Sequence, residues 1–234
     1  MDNSKEAGCT SAEMAESART RASFSSLLNV HFITLPDSDF VKRIRDTEFC
    51  TAMESLANDQ ALPADLSVGA SLMLKFMRDN ADVADAELSD ILGRDRTTLY
   101  RGLTPKESPA PPCEAVWSRT RPNVTELLQE LVAIYRQSGM FLAEETGERL
   151  DYIGVEMDYM RQLAEREAEA WQTGEEETGG ELFRQQSEFF TSHLGEWAPF
   201  FLEKALSMVK TDFYRGHLTM LRGFLAYEEE LFGA

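Results

Sequence analysis

The chain has 234 residues, of which 43% are hydrophobic, and this is enough for one large domain or two small ones with a packed core. The chain has 23 lysines and arginines and 41 aspartates and glutamates, so its formal net charge is −18. Such a charge repels phosphate backbones and anionic membrane surfaces, so it argues against nucleic acid as a partner and favours a basic peptide or protein.

Features that would indicate export, membrane insertion or disulfide bonding are missing from the sequence. No apolar run reaches the roughly 18 to 20 residues that a membrane span requires, and the start of the chain lacks the basic and then apolar layout of a secretory signal. Cys9, Cys50 and Cys113 are far apart and form no CxxC pair. We therefore expect a cytoplasmic protein with free thiols and neither a disulfide framework nor a zinc site.

The first part of the chain changes from polar to helical in character. Residues 1–16 are polar and small, which predicts a disordered tail, and a helical domain is predicted for residues 17–232. An apolar stripe with helical spacing stops at Leu35-Pro36, because the residue before proline disfavours helical dihedrals. Asp37 or Ser38 is the expected N-cap of the next helix.

The middle of the chain continues the helical pattern and is interrupted by prolines. Apolar stripes cover residues 66–77 and 88–100, and neither alternates like a strand. Residues 102–112 contain four of the eight prolines, so this stretch must be a linker or an ordered surface loop. Beyond it, Asn123 and Glu126 have the spacing of a capping box for a helix that ends at Gly139.

One long segment has two apolar faces. We predict a single helix from Gly147 to Trp171, with two apolar rows about 200° apart, which indicates a helix packed on two sides. Glu148, Asp151 and Asp158 project between the rows. Burying carboxylates is costly unless something pairs them, so this helix is the first place to look for a functional site.

The last third of the chain predicts further helices. An exposed acidic turn is expected at residues 173–180, a kink or a restart at Pro199, and a final helix that ends near Gly233. Together, these helices predict an all-α fold, which is a single globular helical bundle of nine to eleven helices with a proline-rich loop near the middle. A division into two helical halves at that loop is equally compatible with the sequence.

The usual signatures of enzymes are absent. The sequence contains no Walker-type phosphate loop, HExxH, GxSxG or GxGxxG motif. His31, His193 and His217 each lie in an apolar helical stripe, where a packing role is more common than a role as metal ligand or general base. We therefore predict a protein that is not an enzyme and has no cofactor or metal.

Five short blocks follow one another in an order that resembles the TorD/DmsD/NarJ family. Each block is weak alone, and the blocks lie at residues 95–102, 112–117, 148–160, 193–200 and 213–214. The resemblance that rests on them runs through residues 18 to 227. Two positions depart from the family pattern, because Arg149 stands where proline is usual and Ala115 where serine is common. The resemblance implies an all-helical cytoplasmic chaperone for molybdenum-containing oxidoreductases, which binds their twin-arginine leader or terminal peptide until the cofactor is loaded.

The resemblance also implies where the peptide binds. Two guanidinium groups followed by an apolar segment require carboxylates beside aromatic side chains, which suits Glu148, Asp151, Tyr152 and Trp117. A second group of residues is expected to order the site, and its members are Glu114, Asp158, His193 and Trp197. The alternative from the residues alone is that Asp151 caps a neighbouring helix while Tyr152 and Trp117 belong to the core.

Three functions therefore remain open on the sequence. The first is the chaperone that binds the precursor of a molybdenum or tungsten oxidoreductase, with no nucleic-acid partner. The second is a nucleotide- or small-molecule-binding helical protein, since some relatives are linked to guanine nucleotides, although no phosphate-binding glycine loop is present. The third is a purely structural helical interaction module. The resemblance is also compatible with a homodimer formed by helix exchange.

Overall fold

The computed structural model describes residues 10–102, 108–140 and 149–233. In this part of the chain it has eleven α-helices and no β-strand, which confirms the predicted all-α bundle. The helices are α1 (Ser11–Ile33), α2 (Ser38–Arg45), α3 (Thr47–Asn58), α4 (Ala64–Asp79), α5 (Asp85–Arg101), α6 (Glu114–Trp117), α7 (Val124–Gln137), α8 (Ile153–Thr173), α9 (Glu176–Ser192), α10 (Leu194–Leu206) and α11 (Asp212–Phe232). Among these residues, no helix is long and apolar enough to cross a membrane.

Two helix pairs dominate the packing of the bundle. Helix α1 lies along α8, and α4 lies along α11, while α9 covers another face of α8. Helix α8 is therefore packed on two sides, as its two apolar rows predict. One hydrophobic core unites side chains from both pairs, so the parts of the chain before and after the proline-rich loop share it.

The α4–α11 pair is unusually close because glycines face each other across it. A Cβ atom added at Gly69 would lie 2.5 Å from the main-chain oxygen of Gly216, and one added at Gly216 would lie 2.5 Å from the oxygen of Gly69. Carbon and oxygen atoms cannot approach so closely without displacing a backbone. Glycine is therefore required at both positions for this helix crossing.

The centre of the bundle contains a buried hydrogen-bonded histidine. His217 accepts or donates at both ring nitrogens, with Nδ1 2.9 Å from the Tyr100 hydroxyl and Nε2 2.9 Å from the main-chain oxygen of Leu28. Since a carbonyl can only accept, Nε2 donates to Leu28 and Nδ1 accepts from Tyr100. Burial lowers the pKa of His217 to about 4, so the ring is neutral near pH 7.

A second buried polar group joins α1, α8, α9 and α11. Arg21 donates to Glu167 at 2.6 Å and also to the side-chain oxygen of Gln186. Gln186 in turn donates to Glu167 at 2.7 Å. Glu228 of α11 is buried beside this group, and desolvation raises its pKa to about 7, although the charge of Arg21 acts in the opposite direction.

Several predicted boundaries differ from the structure. Helix α1 begins at Ser11, capped by Thr10 and Glu13, so residues 11–16 are helical, whereas a disordered tail was expected to reach residue 16. Helix α9 begins at Glu176 and includes most of the expected acidic turn. Helix α10 continues through Pro199, and the break lies earlier, at His193, whose φ and ψ are −129° and −98°.

The most consequential difference concerns the long central helix. Helix α8 begins at Ile153, and Tyr152 is its N-cap with extended backbone dihedrals, so residues 149–152 precede the helix as a turn. The prediction of one helix from Gly147 was therefore wrong at its first turn. The reason is a contact distant in sequence, because Tyr152 forms an isolated antiparallel bridge with Cys113.

The described part of the proline-rich stretch is ordered. Pro109 and Pro112 are buried, and the main-chain oxygen of Pro112 accepts a hydrogen bond from Ile153 at 2.9 Å. This segment thus runs against the start of α8 and leads into the short helix α6.

Candidate functional site

Asp151 connects the turn before α8 to the start of α6. Its main-chain oxygen accepts a hydrogen bond from the N–H of Glu114 at 2.8 Å, and its Oδ2 accepts one from Ala115 at 3.1 Å. The Asp151 side chain has no exposed surface. Asp151 therefore accepts from two main-chain donors at the N-terminus of α6, one through its main-chain oxygen and one through its carboxylate, which is the capping arrangement that the sequence left open as an alternative.

Arg149 holds the same carboxylate from the solvent side. Its Nε lies 2.8 Å from Asp151 Oδ1 and its Nη2 lies 2.9 Å from Oδ2, so the guanidinium contacts both oxygens. The Arg149 side chain is 52% exposed. The expectation that the Asp151 carboxylate is free to bind a ligand is therefore corrected. A guanidinium of another polypeptide can bind it only after the Arg149 side chain has moved away. Glu148, the other predicted primary carboxylate, lies outside the described residues.

The two predicted aromatic residues, Tyr152 and Trp117, lie next to the contact between Asp151 and α6. Tyr152 is buried, and its hydroxyl donates to the main-chain oxygen of Phe32 at 3.1 Å. Trp117 is partly buried, and its Nε1 donates to the main-chain oxygen of Pro111 at 2.9 Å while its ring lies 5.8 Å from that of Phe201. Next to Trp117 on α6, Val116 is exposed and adds an apolar surface.

Glu114 and His193 form a buried pair beneath α6. His193 Nδ1 lies 2.9 Å from Glu114 Oε2 and 3.2 Å from Oε1, and both side chains are almost completely buried. Arg121 approaches the same carboxylate, with its Nε 3.3 Å from Glu114 Oε1. Burial of Glu114 is thus compensated by two nitrogen donors.

Glu156 is a further buried acid in this region. Its Oε2 accepts a hydrogen bond from Trp197 Nε1 at 2.9 Å, whereas Oε1 has no hydrogen-bond partner among the described residues. Desolvation and then the negative charge of Glu114 raise the pKa of Glu156 well above its usual range. The predicted supporting residues His193 and Trp197 therefore each form a hydrogen bond with one buried acid, His193 with Glu114 and Trp197 with Glu156.

Of the predicted site residues that the structure describes, all except Asp158 lie together. Glu114, Asp151, Tyr152, His193 and Trp197 are linked through α6, the turn before α8 and Glu156. Asp158 is half-exposed further along α8 and contacts Arg161 and Gln162 of the same helix. It is not part of the buried cluster.

Three residues of the site were missed from the sequence. Glu156 could have been found, because it lies four residues after Tyr152 and four before Met160, which places it on a buried helical row. Arg149 was noted only as a departure from a family pattern. Arg121 follows a short helix in an irregular segment, where no periodic signal indicates its partner.

An open cleft of about 380 Å³ adjoins the buried cluster. Helices α7 and α9 form its sides and Tyr159 of α8 contributes to its floor, and we call it the α7–α9 cleft. His193 is one of the residues that line it. The side chain of His193 therefore belongs to both the buried cluster and the cleft, and it contacts Glu114 in the interior.

Comparison with known proteins gives one family. The model of the family described as "Nitrate reductase delta subunit" matches residues 59–203, which include all the site residues discussed above. No curated protein sequence matches the chain significantly.

Proposed function

Because this chain belongs to the nitrate reductase delta subunit family, whose members are chaperones of molybdoenzyme maturation, we propose that it binds the twin-arginine leader or the apo-form of a molybdenum-containing oxidoreductase. In this role it assists cofactor insertion and assembly in the cytoplasm before the enzyme is exported. The family is one of chaperones and not of catalysts, and its partners are molybdoenzyme subunits. We call that oxidoreductase the client.

The contact between Arg149 and Asp151 is the observation that carries the proposal of leader binding. A guanidinium already meets both oxygens of this carboxylate at 2.8 and 2.9 Å, so the Asp151 side chain has the position and orientation that a leader arginine requires. Arg149 is half-exposed and can move into solvent, whereas the Asp151 carboxylate is buried and needs a cationic partner. A leader arginine that takes the place of Arg149 keeps this carboxylate paired.

The surroundings suit the rest of the leader. Trp117 and the exposed Val116 on α6 offer apolar surface to the segment that follows the arginines. Tyr152 and Glu114 fix the position of the Asp151 turn. The half-exposed Asp158, further along α8, adds negative charge for a basic segment. The net charge of −18 accelerates the encounter with such a peptide.

A binding experiment tests this proposal. The client is sought as the oxidoreductase encoded beside this gene, and its leader peptide is titrated calorimetrically against the protein and against the Asp151→Asn variant. Removing the charge while keeping the shape should weaken binding by about tenfold or more, since a charge-assisted bidentate contact contributes more than about 1.4 kcal/mol. Circular dichroism should show unchanged helicity. The exposed Asp82, on the turn before α5, supplies the matched control as Asp82→Asn.

The outcomes separate the residue from the function. Unchanged affinity in Asp151→Asn would remove Asp151 from the binding site. Failure of the unaltered protein to bind either the leader or the purified apo-enzyme would contradict the proposed function itself.

A second experiment tests assistance with the cofactor. The client is produced with and without this protein, and its molybdenum content is measured by mass spectrometry after purification. We expect most of the client to lack molybdenum without the chaperone. Equal metal content in both preparations would contradict a role in cofactor insertion.

A further inference from the structure

We propose that Arg149 is an internal competitor, whose guanidinium occupies the Asp151 site in the free protein and lowers its affinity for guanidinium groups of other polypeptides. Arg149 thereby regulates the same site that the proposed function uses, and the identity of the competing polypeptide as the client leader rests on that function. The competition itself follows from the geometry of one turn.

The Asp151 carboxylate requires a cation in every state of the folded protein. Its side chain has no exposed surface, and a buried charge without a partner is strongly destabilising. Of the hydrogen bonds that the described residues make to this carboxylate, Ala115 supplies one at 3.1 Å and Arg149 supplies those at 2.8 and 2.9 Å. Of these two residues, only Arg149 brings a positive charge, so it is the counterion of Asp151 in the free protein.

The main chain of the turn is fixed by contacts that do not involve the Arg149 side chain. Leu150 packs against the hydrophobic core, and its main-chain oxygen accepts a hydrogen bond from the Tyr135 hydroxyl of α7 at 3.1 Å. The main-chain oxygen of Asp151 accepts one from the N–H of Glu114 at 2.8 Å. The Asp151 carboxylate therefore keeps its position when the guanidinium of Arg149 leaves.

Arginines with a structural role in this protein contact more than one element. Arg21 is 2% exposed and donates to side chains on both α8 and α9. Arg121 is 22% exposed, contacts the buried acid Glu114 and donates to the last residue of α9. Arg149, by contrast, is 52% exposed and makes both of its described hydrogen bonds to Asp151, within its own turn. Its guanidinium can therefore move into solvent without breaking a contact between helices.

An internal competitor lowers the apparent affinity of every external one. Arg149 is two residues from Asp151, so its effective concentration at the carboxylate is high and does not depend on the amount of ligand. An external guanidinium binds only those molecules in which Arg149 has left, and its apparent affinity falls by that fraction. A leader that also contacts Trp117 and Val116 has further binding energy with which to displace Arg149, whereas an isolated arginine has none.

Removing the Arg149 side chain should strengthen leader binding, which is the opposite of the effect expected for Asp151→Asn. In Arg149→Ala the leader has no internal competitor, so we expect its affinity, measured by calorimetry, to increase about fivefold or more. Arg149→Lys keeps a charge without the bidentate geometry, and its increase should be smaller. Arg78→Ala, at an exposed position on α4, changes the net charge equally and should alter the affinity by less than about twofold. Circular dichroism verifies that each variant is folded, and Arg149→Lys serves the test if Arg149→Ala is not.

The gain in affinity must act through Asp151. When Asp151→Asn is already present, adding Arg149→Ala should leave the leader affinity unchanged within about twofold, because the internal guanidinium then has no carboxylate to occupy. A gain of equal size with and without the Asp151 carboxylate would show that Arg149 acts elsewhere, and it would overturn the proposal.

A second probe does not depend on the leader. N-acetyl-arginine amide, at about 20 mM, should occupy the vacated site in Arg149→Ala and raise the melting temperature of this variant by about 2 °C or more. N-acetyl-citrulline amide has nearly the same shape without the charge, and it should not stabilise the variant. Neither compound should stabilise the unaltered protein or Arg78→Ala, in which Arg149 occupies the site.

The outcomes separate this proposal from the proposed function. If folded Arg149→Ala and Arg149→Lys bind the leader no more tightly than the unaltered protein does, the internal competition is refuted and leader binding stands. If the arginine amide stabilises Arg149→Ala selectively but none of the proteins binds the leader, Arg149 is an internal competitor at a guanidinium site and the proposed function fails. Absence of both leader binding and selective stabilisation overturns both.

Discussion

The carboxylate of Asp151 lies 3.1 Å from the main-chain nitrogen of Ala115, a residue 36 positions earlier in the chain. Through this contact and the adjoining one between the Asp151 main-chain oxygen and Glu114, a single turn before α8 determines where α6 begins. Glu114 is the first residue of that helix, so the same turn also positions the buried acid that faces His193.

Replacing Asp151 should therefore affect stability as well as binding. In Asp151→Ala, the N–H of Ala115 loses its acceptor and the Arg149 contact disappears, and we expect the free energy of unfolding to fall by about 2 kcal/mol. Urea denaturation followed by circular dichroism measures this change. Asp158→Ala, which removes only half-exposed contacts within α8, should cost less than about 0.5 kcal/mol. Equal losses in the two variants would contradict the capping role of Asp151.

The glycine crossing of α4 and α11 predicts a large steric effect. In Gly216→Ala, the new methyl group meets the main-chain oxygen of Gly69, which cannot move without displacing α4, so we expect a loss of about 3 kcal/mol or more. Gly180 of α9 has open space around it, and Gly180→Ala should increase stability by about 0.5 to 1 kcal/mol. Thermal unfolding compares the two variants. A tolerated alanine at position 216 would show that the helices are further apart than described.

Glu228 predicts a specific dependence of stability on pH. Its pKa rises from 4.5 to about 7 on folding, so between these values the folded protein keeps a proton that the unfolded chain has released. The contribution of Glu228 is thus fully present below about pH 4.5 and is lost as the pH rises through 7, with a magnitude on the order of 3 kcal/mol. Glu228→Gln, which cannot ionise, should gain stability relative to the unaltered protein over this range.

Denaturation of both proteins at several pH values measures that difference. The stability of Glu228→Gln minus that of the unaltered protein should increase from pH 4.5 to pH 7 and stay constant above. The exposed neighbour Glu229 serves as the control, since Glu229→Gln should give a difference that does not depend on pH. A flat difference for Glu228→Gln would show that this carboxyl group titrates normally.

The hydrogen bond between Tyr100 and His217 predicts how much stability is lost when a buried acceptor has no donor. Tyr100→Phe keeps the ring packing but leaves Nδ1 of His217 without its donor, so we expect a loss of about 1 to 2 kcal/mol near pH 7. Tyr227, whose hydroxyl has no hydrogen bond to any of the described residues, is the matched control, and Tyr227→Phe should change stability by less than about 0.5 kcal/mol. Both changes are measured by urea denaturation.

Local patterns in the sequence predicted the helices well. The N-caps of α2 and α7 are Asp37 and Asn123, as expected, because a capping side chain bonds to a main-chain N–H two or three residues away. The two-sided packing of α8 was also predicted, since helical periodicity alone determines which residues share a face.

The site itself depends on contacts that no local pattern encodes. The start of α8 was misplaced by several residues because Tyr152 pairs with Cys113, far away in sequence. The exposure of Asp151 was misjudged for the same reason, since its partners in α6 become neighbours only in the folded bundle. The role of Arg149 depends on the turn that brings its guanidinium to the carboxylate of Asp151, and residue type alone does not specify that turn.

The arrangement of the two dominant helix pairs limits how the protein can be dissected. The family match ends before α11 and begins after α1, yet α11 is the main partner of α4, and α1 is the main partner of α8. A fragment confined to residues 59–203 would leave the apolar sides of α4 and α8 open to solvent, and we expect it to aggregate when produced alone. The smallest unit able to fold independently is therefore longer than the region by which the family is recognised.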